Sequence, residues 1–236
     1  RQPVDTLLRA LPQKRGQILT PGVWWPPVVD GVELPRVPLA SLRSGDFARV
    51  PLLIGWNRDE GVIHTVSFEE NSDDEVRSFT RDSFGPTAAA QVVERYRRAT
   101  PKEALTDVVT DAVFACGARR VMRAVSGHGV PVYGYQWLHA LDDERVPHLG
   151  ATHSVELFFV FGNTSLGYGP SQAEQPLVDT VMDAWGRFAH GQAPWPAWTA
   201  DTDALFSLDL PAQPPATRVK QAECDWWDSF EGATTP

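Results

Sequence analysis

Two residues of this chain have the type and setting for proton-transfer chemistry. They are Glu60, in Gly55-Trp-Asn-Arg-Asp-Glu-Gly61, and His153, in Gly150-Ala-Thr-His-Ser-Val-Glu-Leu-Phe-Phe-Val-Phe-Gly162. A carboxylate that holds one imidazole nitrogen leaves the other nitrogen to take a proton from a nucleophile, as in a Ser-His-Asp/Glu hydrolase. Of the other histidines, His128 and His190 stand beside glycines at helix ends, and His139 and His148 lie in polar loop context, so all four read as ordinary. His153 differs because it precedes an apolar run, where an imidazole needs a hydrogen-bond partner or must stay neutral.

The alternative for Glu60 is a helix start, with Asn57 or Asp59 as cap and the acidic side chains at the positive end of the dipole. The glycines at 55 and 61 leave room for a turn that aims one carboxylate inward. In α/β-hydrolases the triad follows the order serine, acid, histidine, and Glu60 before His153 fits the last two places. No G-x-S-x-G pentad supplies the serine. Gly162-Asn-Thr-Ser165-Leu-Gly167 comes nearest, but its spacing is wrong and it follows the histidine. Neither cysteine sits at a glycine-flanked turn. A hydrolase built on this pair therefore has its serine upstream of Arg1. A metal site from His148, His153 and Glu156 is disfavoured, because the two histidines are not at the i, i+4 spacing of helical zinc pairs. Glu156 reads better as a buried structural carboxylate.

The elements that must position these residues follow from pattern. With 236 residues, 42% of them hydrophobic, the chain can bury a substantial core. A net charge of −9 argues against nucleic acid or an anionic membrane surface as partner, and no run approaches the 18 apolar residues of a membrane span. Apolar β-rich runs at 50–55, 130–138 and 205–210 alternate with helical stretches. One helix is expected from Pro101 to Ser126, capped by Thr100 and ended by Gly127; another from Ser171 to His190, ended by Gly191. Strands without alternation, separated by long helices, predict an α/β protein with a parallel sheet. Residues 1–48 hold no clear strand and the first residue is Arg1, so the chain reads as the back half of a fold, from a processed chain or a fragment. Cys116 and Cys224 are too far apart for a CxxC redox or zinc signature; two buried thiols and one disulfide are both open.

These residues resemble the type-B carboxylesterases, the family of the cholinesterases and of bacterial para-nitrobenzyl esterases. The resemblance rests on Pro27-Val-Val-Asp-Gly31, Val50-Pro-Leu-Leu-Ile-Gly55-x-Asn57-x-Asp59-Glu60-Gly61, and Gly150-Ala-Thr-His153-x-x-Glu156-Leu-x-x-Val160-Phe161-Gly162. Trp185, Phe188-Ala189, Gly191 and Pro194-Trp195-Pro196 extend it. It implies an α/β-hydrolase fold, with residues 1–236 as the C-terminal portion of a single domain. Glu60 would be the triad acid and His153 the general base. The serine and the oxyanion loop would come from an N-terminal segment, the partner that completes the site, so that this chain alone would be inactive. No cofactor and no metal are implied, and the substrate would be a small carboxylic ester. Val23, Trp24 and Trp25 would line an acyl pocket, although the two tryptophans could equally be core. Ile63 and His64 stand where cholinesterases carry gorge aromatics, so choline capture by cation–π contact is not expected. The remaining tryptophans, at 185, 195, 198, 226 and 227, read as packing. The resemblance also implies a Cys116–Cys224 disulfide, and hence a secreted or otherwise extracytoplasmic protein. The competing reading is a cholinesterase-like binding domain that kept the fold and lost the chemistry.

Overall fold

The computed structural model describes residues 2–6, 27–65, 73–163 and 167–230. Among the described residues four strands make the sheet: β1 (Leu52–Asn57), β2 (Val132–Trp137), β3 (Ala204–Leu208) and β4 (Ala216–Thr217), in the spatial order β1-β2-β3-β4. The first three are parallel, as expected, and the short β4 returns antiparallel to β3, so the sheet is mixed at that edge. β1 and β2 pair along their whole length, from Leu52 opposite Val132 to Asn57 opposite Trp137. Among the described residues no strand pairs with the other edge of β1.

Apolar runs without alternation are explained by burial on both faces. On one face Val132 joins Trp56, Met122, Trp198 and Leu205; on the other Trp137 joins Val155, Phe159, Leu177, Val181 and Leu208. A third cluster, built from helices alone, gathers Val92, Tyr96, Leu105, Val108 and Trp227 around the disulfide. Trp195 is buried as well, and Trp185 and Trp226 pack against these clusters, which fits the packing role read for them.

The α-helices with both ends among the described residues are α1 (Pro38–Ser44), α2 (Gly61–Thr65), α3 (Asp73–Phe84), α4 (Pro86–Arg95), α5 (Pro101–Val108), α6 (Cys116–Ser126), α7 (Glu156–Val160), α8 (Gln175–Ala189) and α9 (Gln221–Asp228). The stretch expected as one helix from 101 to 126 begins as predicted. Thr100 Oγ1 accepts from the Glu103 amide at 3.2 Å, and the Glu103 carboxylate accepts from the Thr100 amide at 3.1 Å, a reciprocal cap that satisfies two amides otherwise without partners. It then widens into a π-helix over Val109–Ala115 before α6. The helix expected from 171 divides too, into a 3₁₀ turn at Gln172–Glu174 and α8, and Gly191, with φ +76°, follows its end. Cys116 and Cys224 form a disulfide across a Cα separation of 5.0 Å, fastening the start of α6 to α9. Both cysteines are fully buried.

Candidate active site

β1 is shifted by two residues from the run read in sequence: Pro51 has no amide to give to the ladder, so the strand starts at Leu52, and pairing with β2 carries it on to Asn57 opposite Trp137. Asn57 is buried, and a three-residue turn carries Glu60, only 4% exposed, to the start of α2. Both oxygens of this buried carboxylate are used. Oε1 accepts from the Asn57 amide at 2.7 Å, and Oε2 lies 2.6 Å from His153 Nδ1.

Asn57 and Asp59 do not cap α2. They fasten the acid-bearing turn to the histidine segment. Asn57 Nδ2 donates to the Thr152 carbonyl at 2.7 Å and to the Glu156 carboxylate. The Asp59 amide donates to the Ala151 carbonyl at 3.0 Å, and Asp59 Oδ2 accepts from the Ala151 amide at 2.8 Å. Gly150 belongs to the same seam: its φ is +58°, and a Cβ there would lie 2.5 Å from Asp59 Oδ2. The glycines at 55 and 61 serve close approach rather than a turn. A Cβ on Gly55 would meet the Tyr135 carbonyl oxygen at 2.3 Å, and one on Gly61 the Thr106 carbonyl oxygen at 2.1 Å.

His153 is half-buried, with the Phe114 ring 4.9 Å and the His64 ring 5.3 Å from its own; His64 in turn stacks on Phe114 at 5.8 Å. Ser154, immediately after it, adopts φ +68°, a left-handed residue that turns the chain into α7. The hydrogen bond to Glu60 raises the His153 pKa above the ordinary histidine value, burial opposes this, and the charges of Glu60 and Glu156 add to it. Burial raises the Glu156 carboxyl, against the hydrogen bond from Asn57. Beside His153 opens an apolar cleft of about 360 Å³, walled by Ile63, Leu141, Val146, Leu149, Phe158 and Tyr168. The arrangement can hold a proton on His153 Nδ1 and place apolar material against the same ring.

Among the residues read from sequence, the fold thus brings Glu60, His153, Ile63 and His64 to one place. Val23, Trp24, Trp25 and Ser165 lie outside the described residues. His139 departs from the loop reading given to it: Nδ1 meets Asp209 at 3.1 Å and Nε2 meets Glu174 at 2.7 Å, so it clamps the ends of β2 and β3 to the start of α8.

The sequence matches the family described as Carboxylesterase family over residues 1–227. The chain belongs to that family. It is 27% identical to Carboxylesterase 1C of Rattus norvegicus, with 89% of this chain and 43% of that protein covered. To Liver carboxylesterase 1 of Mus musculus it is also 27% identical, covering 89% and 42%. To Acetylcholinesterase of Bungarus fasciatus it is 29% identical, covering 86% and 39%. The chain spans about two-fifths of the length of the curated relatives it matches. As a carboxylesterase-family chain it has an α/β-hydrolase fold, in which the sheet and its helices carry the Glu60–His153 pair at the ends of β1 and of the loop after β2. Sequence reasoning on this member of the family missed the tethering role of Asn57 and the contact of Phe114 with His153. Both residues stand inside the quoted resemblance or near Cys116, but nothing local to either marks the distant group it meets.

Proposed function

We propose that this chain is the C-terminal portion of a serine carboxylesterase, supplying the acid and the base of a Ser-His-Glu triad whose serine lies on a preceding segment. The single observation that carries this is the buried Glu60 carboxylate hydrogen-bonded to His153 Nδ1 at 2.6 Å, with its other oxygen already committed to the Asn57 amide. A carboxylate so held fixes the imidazole tautomer and stabilises the imidazolium that forms when the base takes a proton. His153 would remove the serine hydroxyl proton as oxygen attacks the ester carbonyl, then deliver it to the alkoxide that leaves. Water would repeat the sequence on the acyl-enzyme. The apolar cleft beside His153 suits the hydrocarbon part of a short or medium ester. The absence of G-x-S-x-G from the chain, and relatives more than twice as long, support a serine from an upstream segment. β1, apolar and paired on one side only among the described residues, offers an edge for that segment's sheet. The buried disulfide supports an oxidising, extracytoplasmic location.

The test is hydrolysis of p-nitrophenyl acetate and butyrate by the full-length protein. Wild type turns both over and His153→Ala abolishes turnover; near-wild-type rates in that variant would refute the assignment. A full-length sequence lacking a serine in G-x-S-x-G would favour the non-catalytic binding domain.

A further inference from the structure

The π-helical segment Val109–Ala115 sits against the site without belonging to either of the two segments that form the pair. Its residues reach outward in two directions. Thr110 and Phe114, four apart, face the site together. Thr110, 3% exposed, accepts a hydrogen bond from the Gly61 amide through Oγ1 at 2.9 Å, and so holds the peptide that directly follows Glu60. Phe114 lays its ring against His153 at 4.9 Å and against His64 at 5.8 Å. In the other direction, buried Asp111 forms an ion pair with Lys220 Nζ at 2.8 Å and accepts from the Tyr96 hydroxyl at 3.0 Å. That same hydroxyl accepts from Trp227 Nε1 at 2.7 Å. The disulfide at Cys116 anchors the residue that follows the segment. The segment is thus fixed beside α9 and α4 on one side, and on the other it touches His153 and the Gly61 amide next to Glu60. Local widening of a helix to the π form is common at functional sites, where it re-aims side chains.

We propose that Thr110 is a positioning residue for the reaction, holding the Glu60 turn so that the carboxylate keeps its bond to His153. This rests on the esterase reading above. Gly61 cannot shift toward α5 in compensation, since the Thr106 backbone already occupies the space beside it. When the Thr110 hydroxyl is lost, the buried Gly61 amide has no acceptor, and the turn moves to find one.

The experiment compares Thr110→Val, which keeps the shape, with Thr110→Ser, which keeps the hydroxyl, in the full-length protein with p-nitrophenyl acetate. Thr80→Val is the structural control, a buried threonine whose hydroxyl donates to carbonyls of its own helix α3, at Val76 and Arg77. Thr110→Val is expected to lower kcat roughly 10- to 100-fold, the scale of a small misplacement of catalytic groups. KM should stay within about twofold, as for an interaction made in the transition state. The acidic limb of its pH–rate profile should move to lower pH as the Glu60 bond loosens. Thr110→Ser restores both, and Thr80→Val changes neither. Should Thr110→Val fail to fold, Thr110→Ala is read in the same way. A Thr110→Val or Thr110→Ala enzyme with wild-type kcat and limb overturns the proposal while His153→Ala still abolishes activity. Full activity in His153→Ala defeats the esterase reading instead.

Discussion

A hydrogen bond from imidazole to carboxylate favours the charged imidazole, and at His153 this outweighs partial burial, so its pKa lies above the ordinary histidine value of 6.5. A general base works only when neutral. The acidic limb of kcat/KM in the full-length protein is therefore expected above pH 6.5, with activity rising as pH climbs through it. Replacing Glu60 by Gln keeps an acceptor of the same shape and removes the charge. The limb should then move down toward the ordinary value while the plateau falls roughly 10²- to 10⁴-fold, as expected when general-base assistance fails. A pH–rate profile reads both; an unmoved limb would mean that Glu60 does not set the base. For stability the sign runs the other way. Because the folded-state pKa is raised, the pair's contribution is fully present below the unfolded histidine value and fades as pH rises through the folded one.

At the scale of elements, the site depends on how closely β1, the turn and α2 approach their neighbours. Gly61→Ala would drive a methyl into the Thr106 carbonyl, which belongs to the capped and buried helix α5 and cannot retreat cheaply. The variant is expected to lose about 1–3 kcal/mol of stability, the usual range for overpacking, measured by urea denaturation. An equally stable alanine variant would show that α2 is loosely seated. The same elements show what could be read from residues alone. Strands without alternation, the Thr100 cap and the stop at Gly191 are local signals, and each stands at or beside the element end it marked. Glu60 and His153 were legible as a pair because the acid follows one apolar run and the imidazole precedes another, in the order acid then histidine. Asn57 and Asp59 were not legible as tethers, because their partners, the backbone at Ala151 and Thr152 and the Glu156 carboxylate, lie more than ninety residues away. Capping is the nearer explanation for any polar residue ahead of a helix. The π-helix was equally hidden, since its apolar spacing differs little from that of an α-helix over seven residues.

Across the described residues three apolar clusters form, and the disulfide lies within the one built from helical segments. Closing a loop of 108 residues restricts the unfolded chain by about 4–5 kcal/mol in the chain-entropy treatment. Cys116→Ser combined with Cys224→Ser is expected to lower stability by about that amount, giving a lower melting temperature at unchanged KM for p-nitrophenyl acetate. A double variant that melts with the wild type would assign the work of this region to the Asp111–Lys220–Tyr96 network alone. The closed loop also contains His153, β2 and β3 but excludes Glu60 and β1. A protease cut in the exposed stretch 211–215 falls inside it, so the two fragments stay covalently joined. Such a nicked protein migrates as one band on a non-reducing gel and separates only after reduction. An intact chain and a cleaved one can therefore share the same acid–base pair, and apparent mass under oxidising conditions says nothing about chain continuity.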